Sequence, residues 1–128
     1  EKLLNLYFIF FENLTMNRSL VKMILEKKNL ETLKKLKSLY RMEGIEIVGL
    51  FGSYAQNSAD IHSDIDIAYV LDHHKFSQKY HDGFSKILKI QAIKEELEHA
   101  LHSKVDFTSL DSSNHSFIER IKKEMIYV

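Results

Sequence analysis

Two short stretches carry residue types that folding does not ask for. The first is Gly52-Ser53, directly after Ile45, Ile47, Val48, Leu50 and Phe51. That run is apolar and β-branched, and it predicts a strand. The Gly-Ser pair breaks it. Glycine lets a ligand approach the chain closely, Ser53 adds a hydroxyl donor, and a helix starting near Tyr54 would aim free N–H groups at an anion. The second stretch is Asp64-Ile65-Asp66-Ile67, in a predicted strand running from Asp64 to Leu71. Strand side chains alternate between faces. Asp64 and Asp66 therefore share one face, and Ile65, Ile67 and Tyr69 the other. Neighbouring carboxylates repel, and each costs free energy to desolvate. A divalent cation offsets both effects: Mg²⁺ takes a few carboxylate oxygens, waters and substrate phosphates. A Gly-Ser pair alone is usually only a turn, and a single Asp-x-Asp is usually a solvated edge. In this order, with a strand before the turn and a strand under the acids, they point to a metal–phosphate site of Gly52, Ser53, Asp64 and Asp66.

Helices must position these strands. Asn17 to Lys28 predicts a helix with Leu20, Val21, Ile24 and Leu25 on one stripe. Leu30 to Met42 continues it, with Leu33, Leu36, Leu39 and Tyr40 apolar, and Gly44 as a C-terminal cap. Lys34, Lys35 and Lys37 read as a solvated face. Asp72-His73-His74-Lys75 reads as a polar loop, followed by a long helix from Ser77 to about His102. Phe84, Ile87, Leu88, Ile90, Leu97 and Leu101 form its apolar stripe. His99 and His102 read as surface residues. Lys104 to Thr108 predicts a short third strand with Val105 and Phe107 on one face and Asp106 on the other. Asp111 to Asn114 supplies capping residues for a last helix with Phe117, Ile118, Ile121 and Met125 inward and Lys122 and Lys123 outside. Strands separated by helices give an α/β (α+β) class: a small mixed sheet with helices packed against it.

The chain has 128 residues, enough for one core. Lys+Arg and Asp+Glu are both 18, and this balance argues against a long nucleic-acid grip. There is no Cys, which excludes disulfides, thiolate metal sites and a cysteine nucleophile, and fits a cytoplasmic location. Residues 1–15 are expected to be an N-terminal extension or leader with a packing role. Their apolar run, Leu3 to Phe11, falls short of the about 20 residues that cross a bilayer, so no membrane association is expected. Residues 16–128 form the single domain.

Phe51-Gly52-Ser53-Tyr54-Ala55, Ser63-Asp64-Ile65-Asp66-Ile67 and Lys104-Val105-Asp106-Phe107 resemble the DNA polymerase β-like nucleotidyltransferase superfamily. More narrowly, they resemble the minimal nucleotidyltransferases found beside HEPN-domain partners in toxin–antitoxin pairs. The resemblance covers roughly Leu30 to Val128 and implies the nucleotidyltransferase fold. It adds Asp106, which alone would read as an edge residue, as the third carboxylate. It also implies the reaction: AMP transfer from ATP to a partner tyrosine. Two Mg²⁺ ions are then expected. One lies among Asp64, Asp66 and Asp106 and activates the attacking hydroxyl. The other is held by Asp64, Asp66 and the triphosphate, and Mn²⁺ could replace either. Asp106 could also take the nucleophile's proton. Gly52 and Ser53 would hold the β and γ phosphates. Gln56 stands where the family often has Arg, and can hydrogen bond but brings no charge.

The family's larger members carry an acceptor-binding domain. Here Phe107 to Val128 leaves room for one helix, so the acceptor is expected on the domain's surface or from a partner chain. The partner implied is a HEPN toxin, with this chain as antitoxin; a homo-oligomer is compatible with the sequence. Two other readings stay open. One is a non-catalytic module that neutralises its partner by contact. The other is a small-molecule nucleotidyltransferase, against which the missing acceptor domain argues.

Overall fold

The computed structural model describes residues 18–52, 64–111 and 114–128. The 1–15 extension, Ser53 and Gln56 lie outside the described residues. Helix α1 (Arg18–Arg41) leads into β1 (Ile45–Phe51), and β2 (Ile65–Leu71) follows. Then come α2 (His73–Lys79), α3 (Gly83–Leu101), β3 (Val105–Ser109), α4 (His115–Glu124) and β4 (Ile126–Tyr127). The strands form one sheet in the order β3-β2-β1-β4. β1 is antiparallel to β2 and to β4, while β2 and β3 are parallel, so the sheet is mixed as expected.

The two sheet faces have different partners. Ile45, Ile47, Ile65, Ile67, Tyr69 and Val105 pack with Leu33 and Tyr40 of α1, Phe76 of α2, and Ile93, Leu97 and Leu101 of α3. Phe51 and Ala68 pack with Ile121 and Met125 from the α4 side. A bulge in β1 serves this division. Ile47 pairs with Tyr69 and Gly49 with Ala68, so Val48 is skipped. The slip resets the alternation and turns Phe51 toward α4.

The helical readings of 17–28 and 30–42 merge into one helix, α1; its side chains are described from Lys27 onward. Gly44 closes the turn after it with φ +90°, as a C-terminal cap requires. Leu33 and Tyr40 are buried, but Leu39 faces solvent. Lys37 is more than a solvated charge: its Nζ donates to the Val128 carbonyl at 2.5 Å and lies 3.6 Å from Glu46.

The region after β2 departs most from expectation. Asp72-His73-His74-Lys75 is the start of a helix, not a loop. Asp72 caps α2 by accepting from Lys75 N at 3.1 Å. The single helix expected from Ser77 is two helices. Tyr80 and Asp82 are extended, and Asp82 caps α3 by accepting from Ser85 N at 2.7 Å. Caps at 72 and 82 each satisfy free N–H groups, and that chemistry outweighs the helical period across them. The break also turns the first turns of α3 away from the sheet. Phe84, Ile87 and Leu88 are exposed, whereas Ile93, Leu97 and Leu101 are buried. β4, whose two residues pair with Gly49 and Leu50, is too short to leave a pattern in the sequence.

Glu43 ties the break together. It accepts from Lys79 Nζ at 2.6 Å and Tyr80 Oη at 2.9 Å, and lies 3.0 Å from Lys89 Nζ. Partial burial alone would push its carboxyl up. Hydrogen bonds from Lys79, Lys89 and Tyr80 overcome this and hold it at about 2. A carboxyl lowered in this way stabilises the fold fully above the ordinary 4.5, and the contribution is lost as pH falls through about 2. Glu43→Gln is expected to cost about 1 kcal/mol at neutral pH, allowing for solvent screening. The gap from wild type should narrow as urea melts are taken from pH 4.5 down toward 2.

Candidate active site

β2 and β3 bring two carboxylates together by register. Ile65 pairs with Val105, Asp66 with Asp106, and Ile67 with Phe107. Since Ile65, Ile67 and Val105 enter the α1/α3 core, Asp66 and Asp106 stand on the opposite face, where α4 packs. Asp64 immediately precedes β2 and is exposed. Its charge reaches Asp66. The pairing expected between Asp64 and Asp66 is thus joined by a closer one, Asp66 with Asp106.

β1 delivers the turn to the same corner. Phe51 pairs with Asp66, so Gly52 emerges beside it. Gly52 has φ +68°, and a Cβ there would run into Asp66 Oδ2. The position therefore demands glycine twice, for its backbone conformation and for the closeness of the carboxylate. A fourth acid completes the corner: Glu124, the last residue of α4, accepts from Gly52 N at 3.4 Å. Nothing in the sequence distinguished it from the solvent-facing Lys122 and Lys123 beside it. Its place depends on β4, which draws the end of α4 over the turn.

The electrostatics report the crowding. Partial burial raises Asp66 first; the charges of Asp106 and Asp64, its hydrogen bond with Asp106 and the charge of Glu124 add to this. Together they bring it to about 6. Among the described residues no three His, Cys, Asp or Glu side chains are arranged to hold a metal ion unaided. The donor chemistry nonetheless suits Mg²⁺, which is commonly held by one or two carboxylates with waters and substrate phosphates. A partly buried acid repelled by its neighbours is what such a cation relieves.

Comparison with known proteins fits this geometry. The family described as Polymerase beta, Nucleotidyltransferase matches residues 31–128, most of the chain.

The chain belongs to that nucleotidyltransferase family.

A relative from Methanocaldococcus jannaschii, named "Putative protein adenylyltransferase MJ0126", is 32% identical over 96 residues. The match covers 74% of this nucleotidyltransferase and 85% of the relative. A solved structure described as a "putative minimal nucleotidyltransferase" is similar with a TM-score of 0.59 at 25% identity, over 81% of this chain and 95% of the other. A toxin–antitoxin crystal structure with AMP-PNP is similar with a TM-score of 0.52 at 24% identity, over 80% of this chain and 70% of that one. At that identity the likeness is one of fold.

A carboxyl raised like Asp66 leaves the fold unburdened below the ordinary 3.8, and the penalty is complete above about 6. Asp66→Asn should therefore raise Tm by about 2–5 °C near pH 7.5, for a screened penalty of about 1 kcal/mol. Melts near pH 4 should show the gain gone. Gly52→Ala should cost about 1–3 kcal/mol from its backbone conformation alone. Part of its total cost should be recovered in the double variant with Asp66→Ala, because the collision is then removed. Strictly additive costs in that cycle would show that the two residues do not touch.

Proposed function

We propose that this nucleotidyltransferase is a metal-dependent enzyme that moves AMP from ATP onto a tyrosine hydroxyl of a HEPN-domain toxin, and so acts as its antitoxin in the cytoplasm. The observation that carries the reading is the register that sets Asp66 beside Asp106 at the Gly52 turn. A relative named for protein adenylyl transfer, and a similar fold in a toxin–antitoxin structure with AMP-PNP, support the reaction and the partner. Residues 16–128 would form a single minimal nucleotidyltransferase domain.

Asp64, Asp66 and Asp106 are the residues that would hold Mg²⁺. When bound, the ions supply charge that offsets these carboxylates, lowers the pKa of the attacking hydroxyl and stabilises the departing pyrophosphate. The chain's own groups do the rest. The Gly52 N–H, the Ser53 hydroxyl and the Gln56 amide would grip the triphosphate tail and leave the α-phosphorus facing the acids. Asp64 and Asp106 are exposed, so the corner is open to a side chain presented by another protein. A tyrosine reaches far from its backbone, but its hydroxyl has a pKa of about 10 and needs activation. Asp106 would accept its proton as the phenolic oxygen bonds to the α-phosphorus. The bond to the β-phosphate oxygen breaks, and pyrophosphate leaves with those electrons. The added AMP brings bulk and one negative charge, which would repel the backbone of RNA from the toxin.

A contact-only antitoxin is the second reading, favoured by the exposed Phe84, Ile87 and Leu88 on α3. Intact-mass spectrometry separates the two. The partner, incubated with this chain, ATP and Mg²⁺, should gain one AMP. The gain should vanish with Asp66→Asn or without Mg²⁺. An unchanged mass, with inhibition still complete in Asp66→Asn, would establish the contact-only reading instead.

A further inference from the structure

The segment that follows α4 is built against the turn that the nucleotide would use. β4 pairs with β1 at Gly49 and Leu50. Gly49 has no Cβ, and one placed there would strike the Ile126 backbone and the Met125 side chain. Val128 is held twice: its N–H donates to the Val48 carbonyl at 3.1 Å, and its carbonyl accepts from Lys37 at 2.5 Å. Met125 is buried against Phe51 and Ala68. These contacts fix the last residue of α4 over Gly52. There the Glu124 carboxylate accepts the Gly52 N–H at 3.4 Å, a long bond that is readily exchanged.

The placement runs against electrostatics. Glu124 adds a negative charge to a corner already holding Asp64, Asp66 and Asp106, and its field bears on Asp66. A glutamine could accept the same hydrogen bond without that charge. A carboxylate places an anion at the backbone N–H of a glycine with φ +68°, and such an N–H can equally take a phosphate oxygen.

We propose that Glu124 sets the affinity of the nucleotide site: its carboxylate fills the Gly52 anion position in the free protein and yields it when a triphosphate binds. Binding is then an exchange of one anion for another. A ligand gains the Gly52 N–H only by displacing Glu124, and the displaced charge remains nearby to oppose it. This inference rests on reading the Gly52 turn as the phosphate grip.

The test uses the four glycines of the chain, which give a sparse amide spectrum when glycine alone is labelled with ¹⁵N. The Gly52 resonance is assigned by its loss in Gly52→Ala. In Glu124→Ala it should move without any ligand. In wild type it should move when ATP and Mg²⁺ are added. Calorimetric titration should give Glu124→Gln a Kd for ATP lower by roughly two- to tenfold, the scale of removing one partly screened like charge. A residue serving only to hold α4 would lower Tm and leave that Kd alone. An unchanged or weaker ATP affinity in Glu124→Gln, with Gly52 still responding to ATP in wild type, overturns the gate and spares the phosphate-turn reading. If Gly52 does not respond to ATP in wild type or in Glu124→Gln, the phosphate-turn reading fails, and this inference falls with it.

Discussion

The structure turns on one parallel pairing. By setting Asp66 against Asp106, β2 and β3 bring together two carboxylates that repel each other, one partly buried and one exposed. Partial burial and that repulsion push Asp66 to about 6. The arrangement brings folding no gain of its own. It is sustained by what lies on the other side of the same strands, where Ile65, Ile67 and Val105 are almost fully buried. Burying an aliphatic side chain is worth about 1.5–3 kcal/mol, so three of them outweigh a screened charge penalty of about 1 kcal/mol. Strand alternation makes the two effects inseparable. A slip by one residue would take the acids out of the corner and the isoleucines out of the core together.

The other parts follow from that pairing. The β1 bulge turns Phe51 toward α4 and brings Gly52 out beside Asp66. β4 covers the edge of β1 and carries the end of α4 to the same turn. On the far face, α1 and α3 seal the aliphatic layer, and Glu43 fastens the α2–α3 break to the end of α1. The described backbone of the corner is thus held by a sheet with a helical layer packed on each face. Its outer side is open, since Asp64 and Asp106 both reach solvent.

What the sequence disclosed and what it withheld divide along physical lines. The strands around Ile47, Ile67 and Val105 were legible because period-two burial leaves a local trace. Asp64 and Asp66 stood out because paired acids beside buried isoleucines have no folding rationale. Asp106 needed the resemblance, since a single acid on a short strand has no local signal. α2 is hidden in the sequence because the polarity of Asp72 suits a loop as well as the helix cap it forms. The exposure of Phe84, Ile87 and Leu88 goes with the same helix break, since one long helix would carry those residues inward. β4 and Glu124 were out of reach for a different reason. Two residues show no period, and their place is set by pairing with Gly49 and Leu50, far away in the chain.

The central claim is that the Asp66–Asp106–Gly52 corner holds a metal-bound nucleotide. The most direct measurement is anomalous diffraction from crystals grown with Mn²⁺ and a non-hydrolysable ATP analogue. The account predicts an anomalous peak between the Asp66 and Asp106 carboxylates, with triphosphate oxygens on the Gly52 N–H. Nucleotide bound at another face of the sheet, or a bound triphosphate with no metal peak at these carboxylates, would contradict it.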